Sequence, residues 1–80
     1  MRVLLFGRYA DLAGWREREL ASGPRTISEV IAAVAGDSPA LAAELAAPWT
    51  ILARNQSQVD PGVQLSPGDE VAFMPPMSGG

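Results

Sequence analysis

The residues best placed for chemistry are the last six, Pro75-Pro76-Met77-Ser78-Gly79-Gly80. Two prolines favour an extended, semi-rigid path. At about 3.3 Å per residue such an arm reaches roughly 20 Å. Glycine has no Cβ, so Gly79-Gly80 can thread a passage too narrow for any other pair. The construction delivers a terminal carboxylate into another protein's active site. Gly-Gly ends a chain by chance in only about 0.5% of cases at ordinary glycine usage, so a merely frayed end is the weaker explanation. A free carboxylate, with a pKa of about 3.5, is ionised at neutral pH and is a poor electrophile. It must first be activated, and acyl adenylation by ATP is the usual route. No Gly-rich loop precedes a Lys here, so ATP is expected to be used by an activating partner rather than by this chain.

The rest of the inventory offers little chemistry. The 80 residues contain no Cys and no His, and all six cations are Arg. Thiolate nucleophiles, disulfides, imidazole bases, Schiff-base lysines and thiolate or imidazole metal sites are excluded, so no bound cofactor and no metal are expected. Asp69 and Glu70 are adjacent in a strand pattern and point to opposite faces, which makes them a poor catalytic pair. Asp69 is read instead as a turn residue bonding local backbone. Trp15, Trp49 and Tyr9 are read as packing at the rim of the core. A net charge of −3 argues against nucleic acid as a partner. Apolar runs of only a few residues argue against a membrane span, which needs about 20. No charged and apolar leader opens the chain, and a cytoplasmic protein without catalytic residues of its own is expected.

These features need a scaffold, and the patterning supplies one. Arg2-Val3-Leu4-Leu5-Phe6 reads as a buried strand. Tyr9 to Gly14 reads as a short turn or helix anchored by Leu12, and the charged run Arg16 to Leu20 as an edge strand hairpinned to the first. Thr26-Ile27-Ser28-Glu29 is a capping box, and Ile27, Val30, Ile31 and Val34 then trace one helical face up to a stop at Gly36. Ser38-Pro39 restarts a short helix with Leu41 and Leu45 inward, ended by Pro48. Thr50 to Arg54 is a third strand, Asn55-Gln56 a turn, and Gln58-Val59 a brief return pairing. Ser66-Pro67-Gly68-Asp69 suits a type II turn before a last strand, Glu70 to Met74. The expected class is therefore α+β: a small mixed sheet packed on one main helix, as a single domain (1–74) with an extended tail (75–80).

One helix covers only one face of that sheet. If Val3, Leu5, Val71 and Phe73 face the helix, then Leu4, Phe6, Ala72 and Met74 face away. An apolar patch of this kind marks an interaction site.

The frame Val3-Leu4-Leu5-Phe6-Gly7, the Thr26-capped helix, Asn55-Gln56, Pro67-Gly68-Asp69-Glu70-Val71-Ala72-Phe73 and the Pro-Pro-x-x-Gly-Gly ending together resemble the family of small, sulfur-carrying subunits of molybdopterin synthase. These are ubiquitin-like β-grasp proteins, and the resemblance runs over essentially the whole chain. It implies that an E1-like adenylating enzyme activates the Gly80 carboxylate and that a sulfur-donating enzyme supplies covalent sulfur, giving a thiocarboxylate. It further implies that Pro75, Pro76, Met77, Ser78 and Gly79 thread into the large catalytic subunit, while Leu4, Phe6, Ala72 and Met74 dock on it. There the sulfur builds the dithiolene of molybdopterin, in molybdenum cofactor biosynthesis, from cyclic pyranopterin monophosphate, with two loadings per product and a heterotetrameric assembly.

Some positions depart from the family. Ala10-Asp11 stands where Arg-Glu is frequent, so a contact made by that arginine is lost or taken over by Arg8. Met74 and Met77 replace Phe and Val, and both remain apolar and adaptable. Gln58 stands where an apolar interface residue is common. The alternatives are a thiamine-thiazole sulfur carrier, a ubiquitin-like protein modifier, or a β-grasp binding module with an inert end.

Overall fold

A computed structural model describes residues 1–21 and 23–76. A continuous apolar run makes β1 (Arg2–Leu5), and β5 (Glu70–Met74) lies parallel beside it, Val3 opposite Val71 and Leu5 opposite Phe73. The charged β2 (Glu17–Glu19) pairs antiparallel with β1, fully exposed at the sheet edge. On the other side of β5 runs β3 (Ile51–Arg54), followed by β4 (Ser57–Val59), both pairings antiparallel. The strand order is β2-β1-β5-β3-β4, which is the β-grasp arrangement of an α+β fold.

The connections follow local chemistry. Asn55 and Gln56 have φ of 51° and 72°, as a two-residue hairpin between twisted strands requires. Gly68, at φ 86°, closes the turn before β5, with the Asp69 amide donating to the Ser66 carbonyl at 3.1 Å.

Helix α2 (Ile27–Ala35) starts at Thr26, whose hydroxyl accepts from the Glu29 amide at 3.1 Å. The returning arm of the box reaches one residue further than expected, since Glu29 Oε1 accepts from the Arg25 amide at 2.7 Å. Helix α3 (Pro39–Ala46) begins with Pro39 in its first turn and the Ser38 hydroxyl accepting from the Leu41 amide. Val30, Val34, Leu41 and Leu45 meet Val3, Leu5, Val71 and Phe73 in the core. Among the described residues no polar or charged residue other than Tyr9 is buried there.

The segment after β1 differs from its expected packing. It is a six-residue helix, α1 (Arg8–Ala13), and its anchors are Tyr9 and Ala10, whereas Leu12 is 47% exposed. At about 100° per residue, Tyr9, Ala13 and Ala10 span one arc, and Leu12 falls about 110° from its centre. A hydrogen-bond chain fixes which arc turns inward. The Thr50 hydroxyl donates to the Glu44 carbonyl at 2.7 Å, so Tyr9 O–H must donate to Thr50 Oγ1 at 2.6 Å.

Candidate docking face and carrier tail

Alternation along β1 and β5 creates the face opposite the helices. Leu4 lies opposite Ala72, Ala72 opposite Ala53, and Met74 opposite Ile51. The Phe6 amide donates to the Phe73 carbonyl at 3.1 Å, carrying β1's pairing one residue past the strand and bringing Phe6 level with Met74. The face is graded along the strands. At the start of β1, Arg2 Nε lies 3.2 Å from a Glu17 carboxylate oxygen and 3.8 Å from one of Glu70. At the other end, where the chain leaves β5, the side chains are Phe6, Met74 and Ile51.

The four residues expected on this face are all on it, with unequal exposure. Phe6 is 46% exposed, and Leu4 and Met74 are half-buried. Ala72 is only 7% exposed, so its expected role is corrected to that of a floor: a single methyl group on the central strand, flanked by Leu4 and Ala53, presents almost no surface. Gln58 lies opposite Ala53 and ends the Leu4 row in an exposed polar side chain.

The tail begins at this apolar end. Pro75 and Pro76 are half-buried. The expected threading residues Met77, Ser78 and Gly79, and the expected sulfur-bearing Gly80, lie outside the described residues. Sequence reading missed what accommodates Pro75. Gly7 has φ 55°, and a Cβ on it would lie 2.9 Å from Pro75 Cγ. A single glycine closing an apolar strand was the available signal.

Arg8, the expected substitute for the arginine absent at Ala10, is turned toward α3: its Nε donates to Glu44 Oε1 at 3.2 Å and its guanidinium lies 5.4 Å from the Tyr9 ring centroid. Beside Ala10 there is instead a hollow of about 390 Å³, lined by Leu4, Phe6, Asp11, Arg16 and Glu17 among others.

Asp69 takes the turn role expected of it. Its carboxylate accepts from the Ser66 amide at 2.8 Å and from the Asn55 side-chain amide at 3.0 Å, while the Asn55 carbonyl oxygen accepts from the Glu70 amide at 2.9 Å. The Ser66 bond first, and then the Asn55 bond, hold the Asp69 pKa below its usual 3.8. Trp15 sits at the core rim with the Arg18 guanidinium 4.4 Å from its ring centroid. Trp49 does not pack as expected and is 53% exposed. Among the described residues no helix is long and apolar enough to cross a membrane, and no cluster of His, Cys, Asp or Glu could hold a metal ion.

Comparison with known proteins gives this geometry a context. The model of the ThiS family matches residues 3–80. The molybdopterin synthase sulfur carrier subunit of Escherichia coli K12 is 34% identical over 80 residues, covering 100% of this chain and 99% of that one. Its counterpart from Chlamydomonas reinhardtii is 36% identical over 84 residues, covering 100% and 98%. Among solved structures, SAMP1 from Haloferax volcanii superimposes with a TM-score of 0.75 at 28% identity, covering 99% of this chain and 97% of that one. Similar over its full length to these two molybdopterin synthase sulfur carrier subunits, the chain belongs to the ThiS family of ubiquitin-like β-grasp proteins.

Proposed function

We propose that this protein is the cytoplasmic sulfur carrier subunit of a molybdopterin synthase, with the Gly80 acyl carbon as its reactive atom. An E1-like enzyme transfers AMP from ATP to the Gly80 carboxylate and releases pyrophosphate. A sulfide equivalent (HS−) delivered by a sulfur-donating enzyme then attacks the acyl carbon and displaces AMP, leaving a thiocarboxylate. The large catalytic subunit receives the tail and supplies the acid–base groups, and cyclic pyranopterin monophosphate takes the sulfur there. This chain contributes no catalytic side chain.

The observation that carries the reading is the continuity of β5 with the tail. The apolar end of the sheet, Phe6 and Met74, adjoins the point where Pro75 leaves. A partner covering that end would draw Met77, Ser78, Gly79 and Gly80 into its own interior. Leu4, Phe6 and Met74 make the docking contact over the Ala72 floor.

The deciding experiment is mass spectrometry of the C-terminal peptide after incubation with the activating enzyme, ATP and a sulfur source. A gain of about 16 Da at Gly80, oxygen replaced by sulfur, is expected. An adduct on another protein would identify a modifier instead, and an unchanged mass would leave a binding module with an inert end. Transfer to cyclic pyranopterin monophosphate, rather than to a thiazole precursor, separates the molybdopterin from the thiamine pathway. Removing Gly80 is expected to abolish loading.

A further inference from the structure

The two edges of the sheet are built differently. β2 is Glu-Arg-Glu, a charged edge that resists strand addition. β4 is Ser-Gln-Val, an edge with neither charge nor proline. The two-residue turn makes Arg54 and Ser57 the hydrogen-bonded pair next to it. Pairs alternate, so Gln58 opposite Ala53 is a non-hydrogen-bonded pair, and its N–H and C=O point away from β3. Beside this edge, between α2, the end of α3 and β3, lies a groove of about 500 Å³. Ile27, Ile31, Leu45, Trp49, Val59 and Pro61 give it an apolar lining, and Asp60 is its one charged lining residue. Trp49, 53% exposed, is the most exposed large apolar side chain among the described residues.

We propose that β4 and this groove bind an extended segment of a partner protein, added antiparallel as a sixth strand and carrying a basic residue followed directly by an apolar anchor. The geometry sets that order. One residue of the segment exchanges both backbone hydrogen bonds with Gln58. The residue before it lies opposite Val59, and its side chain points to the inner face and into the groove, against Trp49 and Ile31. The residue before that comes level with Asp60, which follows β4 and borders the same groove, so a cation there pairs with the carboxylate.

A second copy of this chain fits poorly. Two β4 strands paired about Gln58 would set Ser57 opposite Val59 and Gln56 opposite Asp60. The groove would receive a small polar side chain, Asp60 no cation, and two chains of charge −3 would meet. The site opens beside the helices, two strands away from β5, and meets the Phe6–Met74 end only at Ile51, which borders both. It does not depend on the proposed sulfur chemistry.

The test uses the full chain, 15N-labelled, and the capped peptide Thr-Arg-Ile-Thr-Val-Thr, whose central Thr faces Gln58. Saturable shifts of the Gln58 and Val59 amides and the Trp49 indole are expected at peptide concentrations up to about 1 mM. Exchange of the Gln58 amide should slow about tenfold or more in the complex. N-methylation of the Thr that faces Gln58 should weaken binding about tenfold or more, because it blocks the bond to the Gln58 carbonyl. Asp60→Lys should reverse the preference between this peptide and one with Glu in place of Arg. Phe6→Arg should leave peptide binding unchanged, whatever it does to the large subunit. Undiminished binding of the N-methylated peptide, shifts confined to Leu4, Phe6 and Met74, or no shift at Gln58 would overturn the proposal. So would Gln58 shifts that follow protein concentration without peptide, which would make a second copy the occupant.

Discussion

Asp69 is an exposed carboxylate made useful by two hydrogen-bond donors. The Ser66 amide and the Asn55 side chain favour its ionised form, so its folded pKa lies below the unfolded 3.8. A carboxyl group with a depressed folded pKa stabilises the fold above its unfolded pKa and loses that contribution as the pH falls through the folded value. Asp69→Asn should therefore be less stable than the parent at pH 7, with the gap narrowing as the pH drops below 3.8; urea unfolding at pH 7 and pH 3 measures it. Tyr9→Phe removes one donor from the Tyr9–Thr50–Glu44 chain but leaves the Thr50 hydroxyl its acceptor. A loss of about 1 kcal/mol is expected by chemical denaturation. Gly7→Val meets both a positive φ and the Pro75 ring. It should cost about 1–3 kcal/mol and shift the Pro75 resonances, since the valine and the proline cannot both keep their places.

Among the elements, α2 was the most legible. Thr26, Glu29 and the Ile27–Val34 spacing are strong local signals, and they describe the helix that forms. Thr26→Ala should lower the stability by about 1 kcal/mol, read as a shift in the urea midpoint with unchanged slope. Leu45→Ala, which opens a void beneath α3, should cost about 2–5 kcal/mol. α1 was less legible because six residues fit several helical arcs. Which arc turned inward was decided by Thr50, 41 residues away from Tyr9. The Ala72 exposure depended in the same way on strands from three parts of the chain meeting at one methyl group.

At the scale of the molecule, one face of the sheet is closed by helices and the other is graded from ion pairs at Arg2 to apolar side chains at Phe6. Phe6→Arg should leave the thermal midpoint of the isolated protein within about 2 °C, because an exposed substitution removes little core packing. The same change should weaken binding to a large molybdopterin synthase subunit about tenfold or more by titration calorimetry, since it buries an unpaired charge. The apolar runs, the Thr26 capping box, the turn residues and the Pro-Pro-Met-Ser-Gly-Gly ending are local signals, so the sequence alone determined the elements, their order and the two faces of the sheet. Helical phase in a short segment, the shading of Ala72, the room that Gly7 leaves for Pro75, the turning of Arg8 toward Glu44 and the groove beside Trp49 were decided by the tertiary structure. Each depends on distances between residues far apart in the chain, and such distances exist only once the sheet has assembled.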